Sequence, residues 1–219
     1  MTFKFALRRA KLVLPFMALT VALSSIACQK PQATAPDIPI RANADVKRSL
    51  GSFKSVNGSS YLMAPVESET EGGYSSKGSS RNVHNYVFFN TANESVHTLM
   101  PTNDYWVTET ISFPEVRGNT QKNEPVQWFL YFIVKEDTDG DKRLTYKDNR
   151  TLAISDAAGT GFTELIADVE EVYGQAMRDS STLFIIYRSQ SKKYVAKIDL
   201  QNRKLASTKE LGLEFDDLK

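Results

Sequence analysis

Alternating apolar and polar positions along the chain predict β-strands over most of its length. Residues 105–113, 128–135, 172–177 and 182–188 are strand-length runs rich in aromatic and β-branched side chains. Residues 165–173 also fit the spacing of an amphipathic helix. An internal repeat favours a strand at residues 165–173, and the pattern as a whole predicts an all-β domain.

An internal repeat strengthens the strand assignment. Residues 86–100 align with residues 152–166 at an offset of 66 without a gap, so that Asn90 meets Asp156 and Asn93 meets Gly159. Asn, Asp and Gly tolerate the left-handed backbone of a tight turn, so both segments are predicted to be hairpins. A third copy of the turn signal lies at residues 195–205.

Each of the first two hairpins is followed by two further strand-like runs, which gives four strands per unit. These units, over about residues 84–210, resemble blades of bacterial β-propellers. The resemblance implies an antiparallel meander of two to three four-stranded blades, and an incomplete propeller, because a closed one has at least about four. Either the meander is open and packs on itself, or residues 52–66 cap its edge. A small antiparallel sandwich with similar hairpins is the alternative.

The N-terminal segment predicts export. Residues 1–27 contain four basic side chains and no acid, followed by an apolar run at residues 12–23. That run is shorter than the roughly 20 residues that span a bilayer, which is typical of a signal peptide.

The residues that follow, Ser24 to Cys28, resemble the lipobox of bacterial lipoproteins, with Ser25 where Leu is usual. The resemblance implies acylation of Cys28 and attachment to a membrane, and Gln29 resembles the sorting residue for the outer membrane, on its periplasmic side. An ordinary signal peptide with a chance Cys is the alternative.

The region between this signal and the strands has few apolar residues. Residues 28–58 contain Pro31, Pro36 and Pro39 and are predicted to be an extended tether, with a short helical turn at residues 45–50. Residues 59–219 are predicted to form the all-β domain. Residues 67–82, rich in Glu, Gly and Ser, are predicted to be a long mobile loop within it.

Charge and cysteine content narrow the function classes. The chain has 27 Lys and Arg against 26 Asp and Glu, and without the signal the balance is slightly acidic. Such a surface does not attract a phosphate backbone, which argues against nucleic-acid binding. A single Cys excludes an intramolecular disulfide.

Residues 137–148, with the sequence DTDGDKRLTYKD, carry the clearest chemical pattern. They resemble the calcium loop of EF-hands and dockerin-like repeats, but lie after a strand. The resemblance implies a calcium site in which Arg143 supplies a backbone carbonyl and Thr145 a hydroxyl or a water bridge. It implies carboxylate ligands from Asp137, Asp139, Asp141 and Asp148.

Two positions depart from that pattern. Lys142 replaces a Gly, so it must adopt positive φ, and the final ligand is Asp148 in place of Glu. The alternative is a solvated turn whose Asp side chains bond their own backbone.

Catalytic patterns are weak. His84 and His97 have no motif partner in the sequence, and we expect each to be an ordinary strand residue. The aromatic residues of the strands are expected in the core. We therefore expect a non-enzymatic, lipid-anchored envelope module that binds a protein partner or acts as a scaffold. A glycan- or solute-binding module is the alternative, and a degenerate hydrolase is a third reading.

Overall fold

The computed structural model describes residues 47–69, 81–114 and 124–212, all within the second of two contact-defined units, Pro39–Lys219. In these ranges the chain forms thirteen β-strands and no helix. The strands are β1 Arg48–Leu50, β2 Lys54–Ser55, β3 Tyr61–Glu69, β4 Arg81–Asn90, β5 Val96–Thr98, β6 Trp106–Phe113, β7 Trp128–Val134, β8 Arg150–Asp156, β9 Thr163–Val169, β10 Glu171–Asp179, β11 Thr182–Ser189, β12 Lys192–Asp199 and β13 Lys204–Glu210.

The strands form two antiparallel sheets. The nine-stranded sheet has the order β1-β3-β4-β6-β7-β8-β9, with β2 beside β3 and β5 beside β4, and the four-stranded sheet has the order β10-β11-β12-β13. Over the described residues neither sheet closes on itself. The predicted class, an all-β antiparallel meander that does not close, is confirmed.

Strand β7 is buried on both of its faces, because it lies between two hydrophobic cores. Its sequence WFLYFIV is apolar throughout, as expected of a strand covered on two sides. Leu130 and Phe132 point into a core shared with Leu183 and Ile185 of the four-stranded sheet. Tyr131, on the opposite face, belongs to a second core that also contains Phe88 of β4. The expectation that the strand aromatics are core residues is confirmed for β7.

The predicted hairpins are present, but the grouping of strands into units is corrected. Strand β4 pairs with β5, β8 with β9, and β12 with β13. The β8–β9 hairpin also pairs with β7 along the whole length of β8. It therefore ends the first sheet instead of opening the second unit. The chain changes sheet at Glu170, between β9 and β10, and the hairpin repeat contains no signal for that change.

Two predictions for the N-terminal part are corrected. Residues 48–50 are a strand and not a helical turn, because Leu50 pairs with Val66 of β3 and a turn this short cannot sustain a helix alone. The predicted loop at residues 67–82 is shorter, because β3 continues to Glu69 and β4 begins at Arg81, and these two residues are paired. Its middle, residues 70–80, lies outside the described residues.

The N-terminal boundary of the sheet also differs from the expected tether. Strands β1 and β2 lie within residues 28–58, so the sheet extends into that range. Strand β3 pairs with β4, and β2 pairs with β3, which matches the expected alternative that residues 52–66 cap the edge. The signal segment and Cys28 lie outside the described residues.

Candidate metal-binding loop

The acidic loop connects two buried strands. Residues 135–149 join the end of β7 to the start of β8, so the predicted setting between strands is confirmed. One carboxylate oxygen each from Asp137, Asp139 and Asp141 lies within 4.8 Å of the other two. This cluster of three, named here the Asp triad, could hold a metal ion.

The backbone folds around the Asp triad. The Asp137 carboxylate accepts hydrogen bonds from the backbone N–H of Gly140 at 2.7 Å and of Lys142 at 2.6 Å. Asp139 accepts one from the N–H of Asp141 at 3.1 Å. Lys142 has φ 65°, so the positive φ predicted for this non-Gly position is confirmed. These contacts also belong to an Asx-type turn, so the geometry is common to the calcium loop and to its alternative.

Asp148 lies apart from the Asp triad and has a different set of partners. Its side chain is 1% exposed. One carboxylate oxygen accepts the N–H of Thr138 at 2.6 Å, and the other accepts the N–H of Thr145 at 2.6 Å. The Asp139 N–H donates to the first oxygen as well, at 3.3 Å. Asp148 therefore closes the loop by binding its backbone, and its role as a fourth carboxylate ligand stays a prediction.

The electrostatics of Asp148 follow from these contacts. Burial alone raises the pKa of the carboxyl group, but the N–H donors of Thr145, Thr138 and Asp139 together outweigh burial and lower the pKa. The carboxylate form is thus the one that the loop stabilises. The Thr145 hydroxyl also faces Asp148, at 3.3 Å, and the Arg143 N–H donates to Asp141 at 2.8 Å.

A buried Ser–His pair was not foreseen from the sequence. Ser68 Oγ and His84 Nε2 are 2.7 Å apart, and His84 Nδ1 is 2.8 Å from the Tyr105 carbonyl oxygen. Burial is the main cause that lowers the pKa of His84, and Arg48 adds to it. Both Ser68 and His84 are 3% exposed, so the hydroxyl is not presented to solvent. His84 is a strand residue with both ring nitrogens satisfied. His97, which we expected to be satisfied or exposed, has a buried Nε2 without a hydrogen-bond partner among the described residues.

A cavity of about 660 Å³ lies between the start of β7 and the turn that joins β10 to β11. The residues around it include the half-buried Trp128 and the polar side chains of Gln127, Gln175 and Arg178. Asp179 contributes a carboxylate beside Arg178, with an N···O distance of 3.2 Å. An aromatic ring beside planar polar groups is a combination that can bind a polar solute.

Comparisons with known proteins identify no family. No family model matches the chain, and no curated protein matches it. Among solved structures, the chain is similar to the β-propeller domain of the Trilobed protease from Pyrococcus furiosus, with a TM-score of 0.37 and 11% identity. The match covers 75% of this chain and 44% of that one, so the chain spans less than half of its length. Among the described residues there is no helix long and apolar enough to cross a bilayer.

Proposed function

We propose that this protein is a lipid-anchored module of the bacterial cell envelope that binds a protein partner or acts as a scaffold, without catalysis, and that a calcium ion braces its β7–β8 loop. The observation that supports the calcium brace is the convergence of the Asp triad at the end of β7. Because β7 is buried between both cores, a rigid loop at its end also fixes the register of β8.

Calcium suits the chemistry of the Asp triad. Three carboxylates this close repel one another, and a divalent cation with a preference for oxygen ligands removes that repulsion. The Arg143 carbonyl remains as the predicted backbone ligand. Thr145 and Asp148 support the ion indirectly, because they hold the backbone on which the Asp triad stands. Affinity in the range of about 0.1 to 1 mM is typical of calcium sites outside the cytosol.

Calorimetric titration of calcium into the purified protein tests the cation site. We expect one site per chain in the native protein and no measurable heat of binding in the double variant Asp139→Ala with Asp141→Ala. Glu136→Gln is the matched control, because it removes an exposed charge from the same loop without touching the Asp triad. If the double variant binds calcium as the native protein does, the proposed site is overturned. If Glu136→Gln also abolishes calcium binding, the ion is attracted only by nonspecific charge, which overturns the site as well.

The lipid anchor rests on the lipobox resemblance at Cys28. Cells supplied with a clickable fatty acid should label the native protein, and Cys28→Ser should abolish the label and leave the signal uncleaved. Export with a drop in apparent mass but without label would show ordinary secretion. That outcome would contradict the lipid anchor but would not bear on the cation site, which the calcium titration tests separately.

The cavity beside Trp128 favours a second candidate function, the binding of a glycan or another polar solute. Envelope glycan fragments titrated into the protein should change the fluorescence of its tryptophans if they enter the cavity. Trp128→Ala should weaken binding by about fivefold, since stacking on an indole contributes about 1 kcal/mol. Unchanged fluorescence with all fragments would contradict solute binding in this cavity, and partner binding would then be the remaining proposed function.

A further inference from the structure

The N-terminal strands of the nine-stranded sheet are apolar on both faces. On one face, Met63 and Phe88 pack in the core. On the opposite face, Leu62, Phe89 and Val96 lie directly opposite one another across β3, β4 and β5. Cross-strand partners share a face of a sheet, so these three side chains form an apolar row that points away from the core.

Two residues of the first strands enlarge this row. The Phe53 ring lies edge-on to Phe89 with a centroid distance of 6.5 Å. Leu50 pairs with Val66, which is four positions from Leu62 along β3 and therefore on the same face. We name the outer patch by its residues, which are Leu50, Phe53, Leu62, Phe89 and Val96.

The outer patch is accessible to a partner. Val96 is 61% exposed, Leu50 53% and Phe53 42%. Single exposed apolar residues are ordinary, but several apolar side chains on the same face of neighbouring strands mark an interaction surface. Its position in the chain is specific as well, because it includes the first strands after the predicted tether.

We propose that the outer patch rests on the lipid surface to which the protein is anchored. This inference depends on the proposed anchor at Cys28. Leu50 follows Cys28 by 22 residues, and an extended tether of about 3 Å per residue gives ample reach for the patch to lie on the same membrane. The part of the domain that is nearest to the anchor along the chain thus includes two exposed apolar side chains of the patch, Leu50 and Phe53.

Charge does not distinguish the outer patch. Lys47 and Lys54 are exposed and flank Leu50 and Phe53 along the chain. Lys54 pairs with Met63 of β3, so it lies on the core face of the sheet and not beside the outer patch. Glu94, in the β4–β5 turn, precedes Val96 by two residues. The exposed apolar side chains, and not a border of basic ones, therefore define the surface that meets the lipid.

A spin label at position 96 tests the proposal in the lipidated protein. Because Cys28 is the only cysteine of the chain and is acylated under the proposal, Val96→Cys supplies the one free thiol. The variant is reconstituted in vesicles of phosphatidylethanolamine with a quarter phosphatidylglycerol. Collisions of the nitroxide with oxygen and with a water-soluble nickel complex are then measured. Leu205→Cys on β13, 37% exposed, is the matched control in the other sheet.

The outcomes separate docking from anchoring. We expect the ratio of oxygen to nickel collisions to be about threefold or more higher at position 96 than at position 205, because an interfacial label is shielded from water. Protein that floats with the vesicles but has equal ratios at both positions keeps its anchor and overturns the docking. Dipolar broadening of the position 96 label without vesicles would show that a second copy covers the patch, which also overturns it.

A further variant covers failure of the anchor. Cys28→Ser, blocked from acylation, is labelled at position 96 and mixed with the same vesicles. Because this variant keeps its apolar signal, the same variant labelled at position 205 is the reference. Shielding of the label at position 96 but not at position 205 would show docking through the patch without acylation. A chain that carries no lipid, does not float and has a water-exposed label would overturn both proposals.

Discussion

Asp148 accepts a hydrogen bond from the backbone N–H of Thr138 at 2.6 Å, which joins the two ends of the acidic loop across ten residues of sequence. The same carboxylate holds the N–H of Thr145 through its other oxygen. The buried acid of this loop therefore organises its backbone, while the Asp triad, with Asp137 half-buried and Asp139 and Asp141 exposed, lies nearer the surface.

Replacing Asp148 by Asn should destabilise the domain strongly. The amide keeps one acceptor oxygen but turns an NH₂ group toward a backbone N–H, which leaves a buried donor without a partner. Loss of charged hydrogen bonds at a buried site costs about 2 to 3 kcal/mol, which corresponds to a fall in Tm of roughly 4 to 12 °C. Thermal unfolding followed by circular dichroism measures the change. A variant that melts with the native protein would show that the loop does not depend on Asp148.

Acid should weaken the contact between β3 and β4 through His84. Burial lowers the pKa of His84, so the unfolded chain takes up a proton more readily than the folded one. The contribution of His84 to stability is then complete above the unfolded pKa of about 6.5 and is lost as the pH falls below it. Urea unfolding at pH 7.5 and pH 5.5 should show a smaller pH dependence in His84→Gln than in the native protein. Equal dependence in both would contradict this role.

Gly159 should tolerate no side chain. Its φ is 74°, and an added Cβ would lie 2.3 Å from Cε2 of Phe88. Gly159→Ala combines backbone strain with overpacking of the core, so it should lower the free energy of unfolding by about 3 to 5 kcal/mol.

Two glycines separate these causes. Gly140 has φ 80° but no atom within 4 Å of an added Cβ, so Gly140→Ala should cost only about 1 to 2 kcal/mol. Gly174 has open space as well, and Gly174→Ala should change the free energy of unfolding by less than about 0.5 kcal/mol. Chemical unfolding of the three variants gives the ranking, and a Gly159 variant no less stable than the Gly140 variant would refute the contact with Phe88.

The hairpins could be predicted from the sequence because their signals are local. Asn90 and Asp156 each accept a hydrogen bond from the backbone N–H two residues ahead, at 2.9 Å and 3.0 Å, and such turns depend on the residues within them. The change of sheet at Glu170 depends on packing between distant strands. It leaves no local pattern, so the strand grouping was wrong.

The candidate site shows the same limit. The spacing of the Asp triad and the positive φ of Lys142 follow from a local motif and could be predicted. The burial of Asp148 depends on where the sheet places the start of β8. The pairing of Ser68 with His84 depends on the antiparallel register of β3 and β4, across a bulge between Val66 and Glu67. Neither appears in a pattern of residue types.

Thermal unfolding with and without calcium tests the cation brace most directly. A ligand that binds only the folded state adds about 1.4 kcal/mol to the free energy of unfolding when its concentration is tenfold above Kd. Millimolar calcium should therefore raise Tm by roughly 3 to 6 °C relative to a solution with chelator. Asp139→Ala with Asp141→Ala should abolish the difference. Lys142→Gly should enlarge it, because glycine adopts positive φ without strain and removes a cation beside the ion. Identical melting curves in calcium and chelator for the native protein and both variants would contradict the account and leave the loop a solvated acidic turn.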